Sequence, residues 1–117
     1  MLRNNLEIKE EISKIIENKY LVIVEGKKDK ESLNNLGIEN IVCIKNRPLF
    51  AVIESLNEEE IVILTDLDSE GRKLFSKLRY FLQRRGIKLH NNLRNVLFRS
   101  RLRNIEGLDS YLKLIEF

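Results

Sequence analysis

Two acidic turns stand at the ends of apolar runs. In YLVIVEGKKD, Glu25 follows the run at 20–24, and in EIVILTDLDSEG, Asp66, Asp68 and Glu70 follow the run at 61–65. If those runs are parallel neighbouring strands, their C-terminal ends bring four carboxylates to one place, where repulsion raises pKa values unless a cation joins them. That chemistry suits a hard divalent metal, because magnesium keeps several waters and takes one or two carboxylates plus phosphate oxygens. Asp66 and Asp68, two apart on a strand end, project the same way and meet that need; Glu70 offers a second metal a ligand, and Glu25 is placed to move a proton. Gly26 and Gly71 let backbone approach a phosphate, while Ser69 and Gly71 can open a helix whose N-terminal dipole favours an anion. Lys27, Lys28, Arg72 and Lys73 flank the turns as phosphate contacts. Each feature has a plainer reading: an acid before a glycine turn often only caps the next helix, and exposed lysines are often only solvated. Asp29 is read as such a cap rather than as a ligand.

The net charge of +3 conceals a division. Between Arg72 and Arg103 there are eleven basic residues and no acid, so the remainder is strongly acidic. A polyanion could lie on this basic third while one of its phosphates reached the carboxylates through a bridging cation. Cys43 is the only cysteine and His90 the only histidine, which excludes a disulfide framework or a zinc site within one chain. Cys43 is expected in the core and His90 at a strand end. No run approaches the ~18 apolar residues of a membrane span, and MLRNNLEIKEEISK lacks the apolar stretch of a signal peptide, so a cytoplasmic location is expected.

The elements that position these residues follow from periodicity. The 117 residues suit one domain, with an N-terminal helical segment at 1–19, a core at 20–90 and a helical segment at 91–117. Ile8, Ile12, Ile15 and Ile16 predict an amphipathic helix over 4–18. Strands are predicted at 20–24, 41–44, 61–65 and 87–89. Helices are predicted from Asp29 to Leu36, from Pro48 to Leu56, and from Ser69 to Arg85, with shorter ones over 91–99 and 107–115. In the long helix, Leu74, Phe75, Leu78, Phe81 and Leu82 form the stripe for the sheet, and Lys73, Lys77, Tyr80 and Arg84 lie along a line facing away. Tyr80 is read as an ordinary surface residue, with stacking on a base as the alternative. Strands alternating with helices predict an α/β fold: an open, mainly parallel four-stranded sheet flanked by helices, Rossmann-like.

VIVEGKKD and TDLDSEG resemble the two motifs of the Toprim domain. That module is shared by type IA and type II topoisomerases, bacterial-type primases, OLD-family nucleases and the maturase ribonuclease that trims 5S ribosomal RNA precursors. The resemblance is strong over 20–71 and weaker beyond. It is closest to the maturases and to small stand-alone Toprim proteins common in archaea. It implies that Glu25 is the general acid or base, that Asp66 and Asp68 hold Mg2+ or Mn2+ with Glu25 beside them, and that Glu70 matches a third acid found in the topoisomerase version.

The resemblance implies metal-dependent phosphoryl transfer on a nucleic acid, RNA favoured over DNA, with Gly26, Lys27, Lys28, Gly71, Arg72, Lys73, Lys77 and Arg84 toward the phosphates. Strand passage is disfavoured because the topoisomerase tyrosine sits on a domain this chain has no room for, and primase because it wants a zinc element. The alternative is a non-catalytic module that uses magnesium to dock nucleic acid or a protein; a homodimer or a protein partner would complete a cleft this small, and no membrane partner is expected. A phosphotransfer domain with Asp66 as nucleophile is a third reading, but it leaves Glu25 without a task.

Overall fold

The computed structural model describes residues 2–114. Its sheet is wholly parallel, built from β1 (Leu21–Val24), β2 (Ile41–Cys43), β3 (Glu60–Ile63) and β4 (Lys88–Leu89) in the order β2-β1-β3-β4. Val22 is paired with Ile41 on one side and Val62 on the other, and Ile61 with Leu89. Among the described residues six helices surround it: α1 (Leu2–Asn18), α2 (Lys27–Asn35), α3 (Leu49–Ser55), α4 (Ser69–Arg84), α5 (Asn92–Phe98) and α6 (Leu108–Leu114), the last preceded by a 3-10 turn at Ile105–Gly107. The expected open α/β sheet is therefore present.

Period-two alternation along the strands sorts the core into two layers. Val22, Val24, Val62 and Leu64 pack against Ile8, Ile12 and Ile15 of α1, Leu33 of α2 and Leu93, Val96 and Leu97 of α5. Leu21, Ile23, Ile61 and Ile63 face the other way, onto Val52 and Ile53 of α3 and Leu78 and Leu82 of α4. Both faces are thus covered, which is why the strands read as unbroken apolar runs.

Boundaries shift by a residue or two. Pro48, expected inside the first turn of α3, stands just before it as the capping residue. The helix expected at Asp29 begins at Lys27; Gly26 takes the capping position, and Asp29, buried in the first turn, accepts from Gly26 N at 3.0 Å. Asp29 is therefore a cap, by reaching back rather than by starting the helix. Gly37 (φ 97) and Gly86 (φ 78) end α2 and α4 in the left-handed region. The helix expected over 107–115 is observed as α6, and residue 115 lies outside those described. Among the described residues no helix is long and apolar enough to cross a membrane.

Candidate acidic site at the sheet crossover

After β1 the chain leaves toward β2 on one side, then crosses back to β3 on the other, so the crevice of this fold opens where β1 and β3 end side by side. Glu25 is the first residue beyond β1, half-buried, and its Oε2 accepts a hydrogen bond from Asp66 N at 2.8 Å. Past β3 the pairing with β1 continues as Leu64 N donates to Ile23 O at 2.8 Å. Leu67 then turns into the core while Asp66 and Asp68 on either side of it stay at least partly exposed. Asp66 Oδ1 accepts from Ile105 N at 2.9 Å, and Asp68 Oδ1 caps α4 by accepting from Gly71 N at 2.8 Å. A cleft of about 890 Å3 opens over this edge, lined among others by Glu25, Asp29, Asp66, Lys27, Lys28 and Lys77.

Gly71 is required by packing. A Cβ there would lie 2.0 Å from the Asp66 carbonyl oxygen, so only glycine lets the first turn of α4 close onto the Asp66 backbone. What Gly71 approaches within the fold is this peptide, and Thr65 Oγ1 donates to its carbonyl at 2.7 Å. At Gly26 a Cβ would meet only ordinary contacts at 3.9 Å.

The site's charges are strained. Burial raises the Asp66 pKa first, and Asp68 and Glu106 raise it further; the Ile105 N–H and Arg94 oppose them. Burial also raises Asp29, with Asp66, Glu25 and Glu106 adding to it against the Gly26 N–H. Behind the cleft, Arg94 is 2 % exposed and donates to the carbonyls of Thr65 at 2.6 Å and Asp66 at 3.1 Å. Its guanidinium lies 4.4 Å from the Phe75 ring centroid, and burial lowers its pKa to about 10 while Glu25 and Asp66 hold it up.

The cleft gathers Glu25, Gly26, Lys27, Lys28, Asp29, Asp66 and Lys77. It does not gather every expected residue. Asp68 and Glu70 stand exposed at the start of α4, outside the lining, although Asp68 is near enough to repel Asp66. Lys73 is exposed on α4, Arg72 lines a separate hollow with Arg79 and Phe98, and Arg84 lies at the far end of α4, donating to Tyr80 Oη at 3.0 Å. Four polar lining residues are not among those expected from the sequence: Lys45, Arg47, Asn104 and Glu106. Lys45 and Arg47 follow β2, and the rule that singled out the exits of β1 and β3 applies equally to that neighbouring strand. Glu106 arrives from the 3-10 turn and has no local signature. Arg94 was counted with the basic surface; its position within Leu93–Leu97, among residues that prove buried, was the available sign.

Cys43 is half-buried at the sheet edge, its Sγ 3.5 Å from Gly26 O, and His90 follows β4, stacked on Tyr20 and 3.0 Å from Glu60 Oε1.

The carboxylate oxygens here are of the kind a hard divalent cation takes, and Asp68 and Glu106 add negative potential around Asp66. Among the described residues no three acidic, histidine or cysteine side chains are gathered closely enough to hold a metal by themselves. Magnesium in this place would complete its shell with water and phosphate oxygens.

No model of a protein family matches the chain. A UPF0292 protein of Methanocaldococcus jannaschii is 37% identical over 114 residues, covering 92% of this chain and 88% of that one. UPF0292 proteins of Pyrococcus horikoshii and Methanosarcina barkeri are each 34% identical, covering 80% and 78% of their own lengths. Among solved structures, a protein from Aquifex aeolicus superposes with a TM-score of 0.78 at 28% identity, covering 86% of this chain and 94% of that one.

Proposed function

The chain belongs to the UPF0292 family, and for it we propose magnesium-dependent phosphoryl transfer on a nucleic acid, RNA in preference to DNA, by cleavage or trimming in the manner of a Toprim domain. The observation that carries this reading is the hydrogen bond from Asp66 N to Glu25 Oε2 at 2.8 Å, which ties Glu25 of one motif to Asp66 of the other in one crevice. Asp66 and Asp68 would hold the cation, with Glu25 beside Asp66. When bound, Mg2+, or Mn2+ in its place, supplies neutralisation of the charge that develops on phosphoryl oxygens.

The chain's own residues do the rest. Lys27, Lys28, Lys45, Arg47 and Lys77 around the cleft seat backbone phosphates. The Asp66 N–H fixes one oxygen of Glu25, leaving Oε1 to take a proton from the attacking group or give one to the leaving group. Arg94, through the Thr65 and Asp66 carbonyls, holds the turn that carries Asp66.

A second reading, a docking module that binds nucleic acid without turnover, is favoured by the exposed position of Asp68 and Glu70 outside the cleft. The two part in one experiment. Wild type, Glu25→Gln and the double variant Asp66→Asn, Asp68→Asn are incubated with structured RNAs and DNAs in Mg2+ or Mn2+. Cleavage by wild type, lost in chelator and in the double variant, with Glu25→Gln slower by about 100-fold or more at undiminished binding, is the expected result. Binding by wild type with no cleavage under any of these conditions would leave the docking module.

A further inference from the structure

Outside the cleft, the described surface gathers aromatic rings on the outer side of α3 and α4. Phe50 is 64% exposed and Tyr80 56%. Phe81 lies between them, its ring centroid 5.1 Å from Phe50 and 5.3 Å from Tyr80. The Arg84 guanidinium lies 5.4 Å from the Tyr80 ring centroid and bonds its hydroxyl at 3.0 Å. Large rings this exposed lose apolar burial, so a surface that keeps several together marks a binding face.

Two features say what binds there. A hollow of about 130 Å3 between Phe50 and Phe81 has no carboxylate in its lining, and its basic member is Lys77. Lys77 and Leu49 also line the acidic cleft, so the aromatic row and the cleft share a wall. From Gly71 to Arg84 the helix carries no acid. Rings whose faces stack on any base, set between cations that take phosphates, form a platform for a single strand.

We propose that Phe50 and Tyr80, propped on the half-buried Phe81 between them, stack the bases of an unpaired nucleic-acid strand whose backbone runs past Lys77 into the acidic cleft. A base inside a duplex has no free face to offer them, so the platform selects unpaired segments. A second copy of this chain is the competing occupant, but a two-fold contact centred on this face would bring the Lys77 and Arg84 cations of both copies into one interface. The inference rests on the proposed function only for the phosphate's destination; the base platform is measurable by itself.

The test uses labelled oligouridine, oligothymidine and a blunt duplex, with anisotropy read in chelator so that no turnover intervenes. Wild type binds the unpaired strands more tightly than the duplex, and Phe50→Ala and Tyr80→Ala each weaken that binding by about tenfold. The chain has no tryptophan, so the indole introduced by Tyr80→Trp reports stacking directly: its emission is quenched as the strand saturates, and affinity is kept. Unchanged affinity in both alanine variants, or an unquenched indole, overturns the platform. So does a dimer in sedimentation that Phe50→Ala dissolves while strand binding is untouched. Platform-dependent binding without metal-dependent cleavage would sink the proposed reaction and leave the platform standing; cleavage indifferent to both alanine variants would do the reverse.

Discussion

At the scale of single residues, the site holds negative charge that the fold itself disfavours. Asp66 is half-buried with Asp68 and Glu106 near it, and the opposing help comes from one N–H and from a buried arginine engaged with carbonyls. A chain selected for stability alone would carry an amide here, because asparagine can still accept from Ile105 N without the repulsion. Two outcomes follow for Asp66→Asn. In chelator it melts higher than wild type, and added Mg2+ raises the melting temperature of wild type but not of the variant, since a cation bound only by the folded state stabilises it by mass action. Thermal melts followed by circular dichroism, with and without Mg2+, check both. A variant that melts lower in chelator would mean that Asp66 is structural and that its charge costs the fold nothing.

At the scale of elements, the strands and most helices were legible because one period governs each: unbroken apolar runs for β1 and β3, a five-residue stripe for α4. The C-terminal segment was legible as helix but not as part of the site, because nothing local in NIEGLD says that it will lie over the exits of β1 and β3. Its anchorage is polar and long-range. Ser32 Oγ donates to Asp109 Oδ1 and accepts from Asp109 N, each at 3.0 Å, and Asn35 Nδ2 donates to Asp109 Oδ2 at 2.8 Å, tying α6 to α2. Hydrogen bonds to the carboxylate, from Asn35 foremost and then from Ser110 N and Ser32, hold the Asp109 pKa below its ordinary 3.8 against the opposing effect of burial. A carboxylate with a depressed folded value adds stability that is present above the unfolded value and lost as pH falls through the folded one. Asp109→Asn should therefore destabilise the fold near neutral pH, and its gap from wild type should narrow as pH falls below 3.8 and through the depressed folded value, where the wild-type carboxylate takes up its proton. Melts across that range read the gap; one that stays constant to acid would show that the carboxylate's charge contributes nothing to holding α6.

At the scale of the whole molecule, the acid-free stretch 72–103 suggests a single polyanion surface of eleven cations, and the fold divides it. Arg85 donates to the carbonyls of Ile53 and Leu56 at the C-terminal end of α3, Arg94 is buried, Arg99 pairs with Glu7, and Arg103 donates to the carbonyls of Ser100 and Leu102. Arg72 and Arg79 line the hollow beside α5, whereas Lys77 turns to the cleft. Composition could not show this, because a guanidinium that satisfies carbonyls and one that waits for a phosphate are the same letter in the chain. Salt dependence separates the two pictures, since each phosphate neutralised on a single strand contributes about −0.7 to the slope of log K against log salt. Five cations line the cleft (Lys27, Lys28, Lys45, Arg47 and Lys77), so strand binding there should show a slope of about −3 to −4. Engagement of all eleven would give about −8. Anisotropy titrations of an unpaired oligonucleotide at increasing KCl measure it, and a slope near the steeper value would move the binding surface from the cleft to the outer faces of α4 and α5.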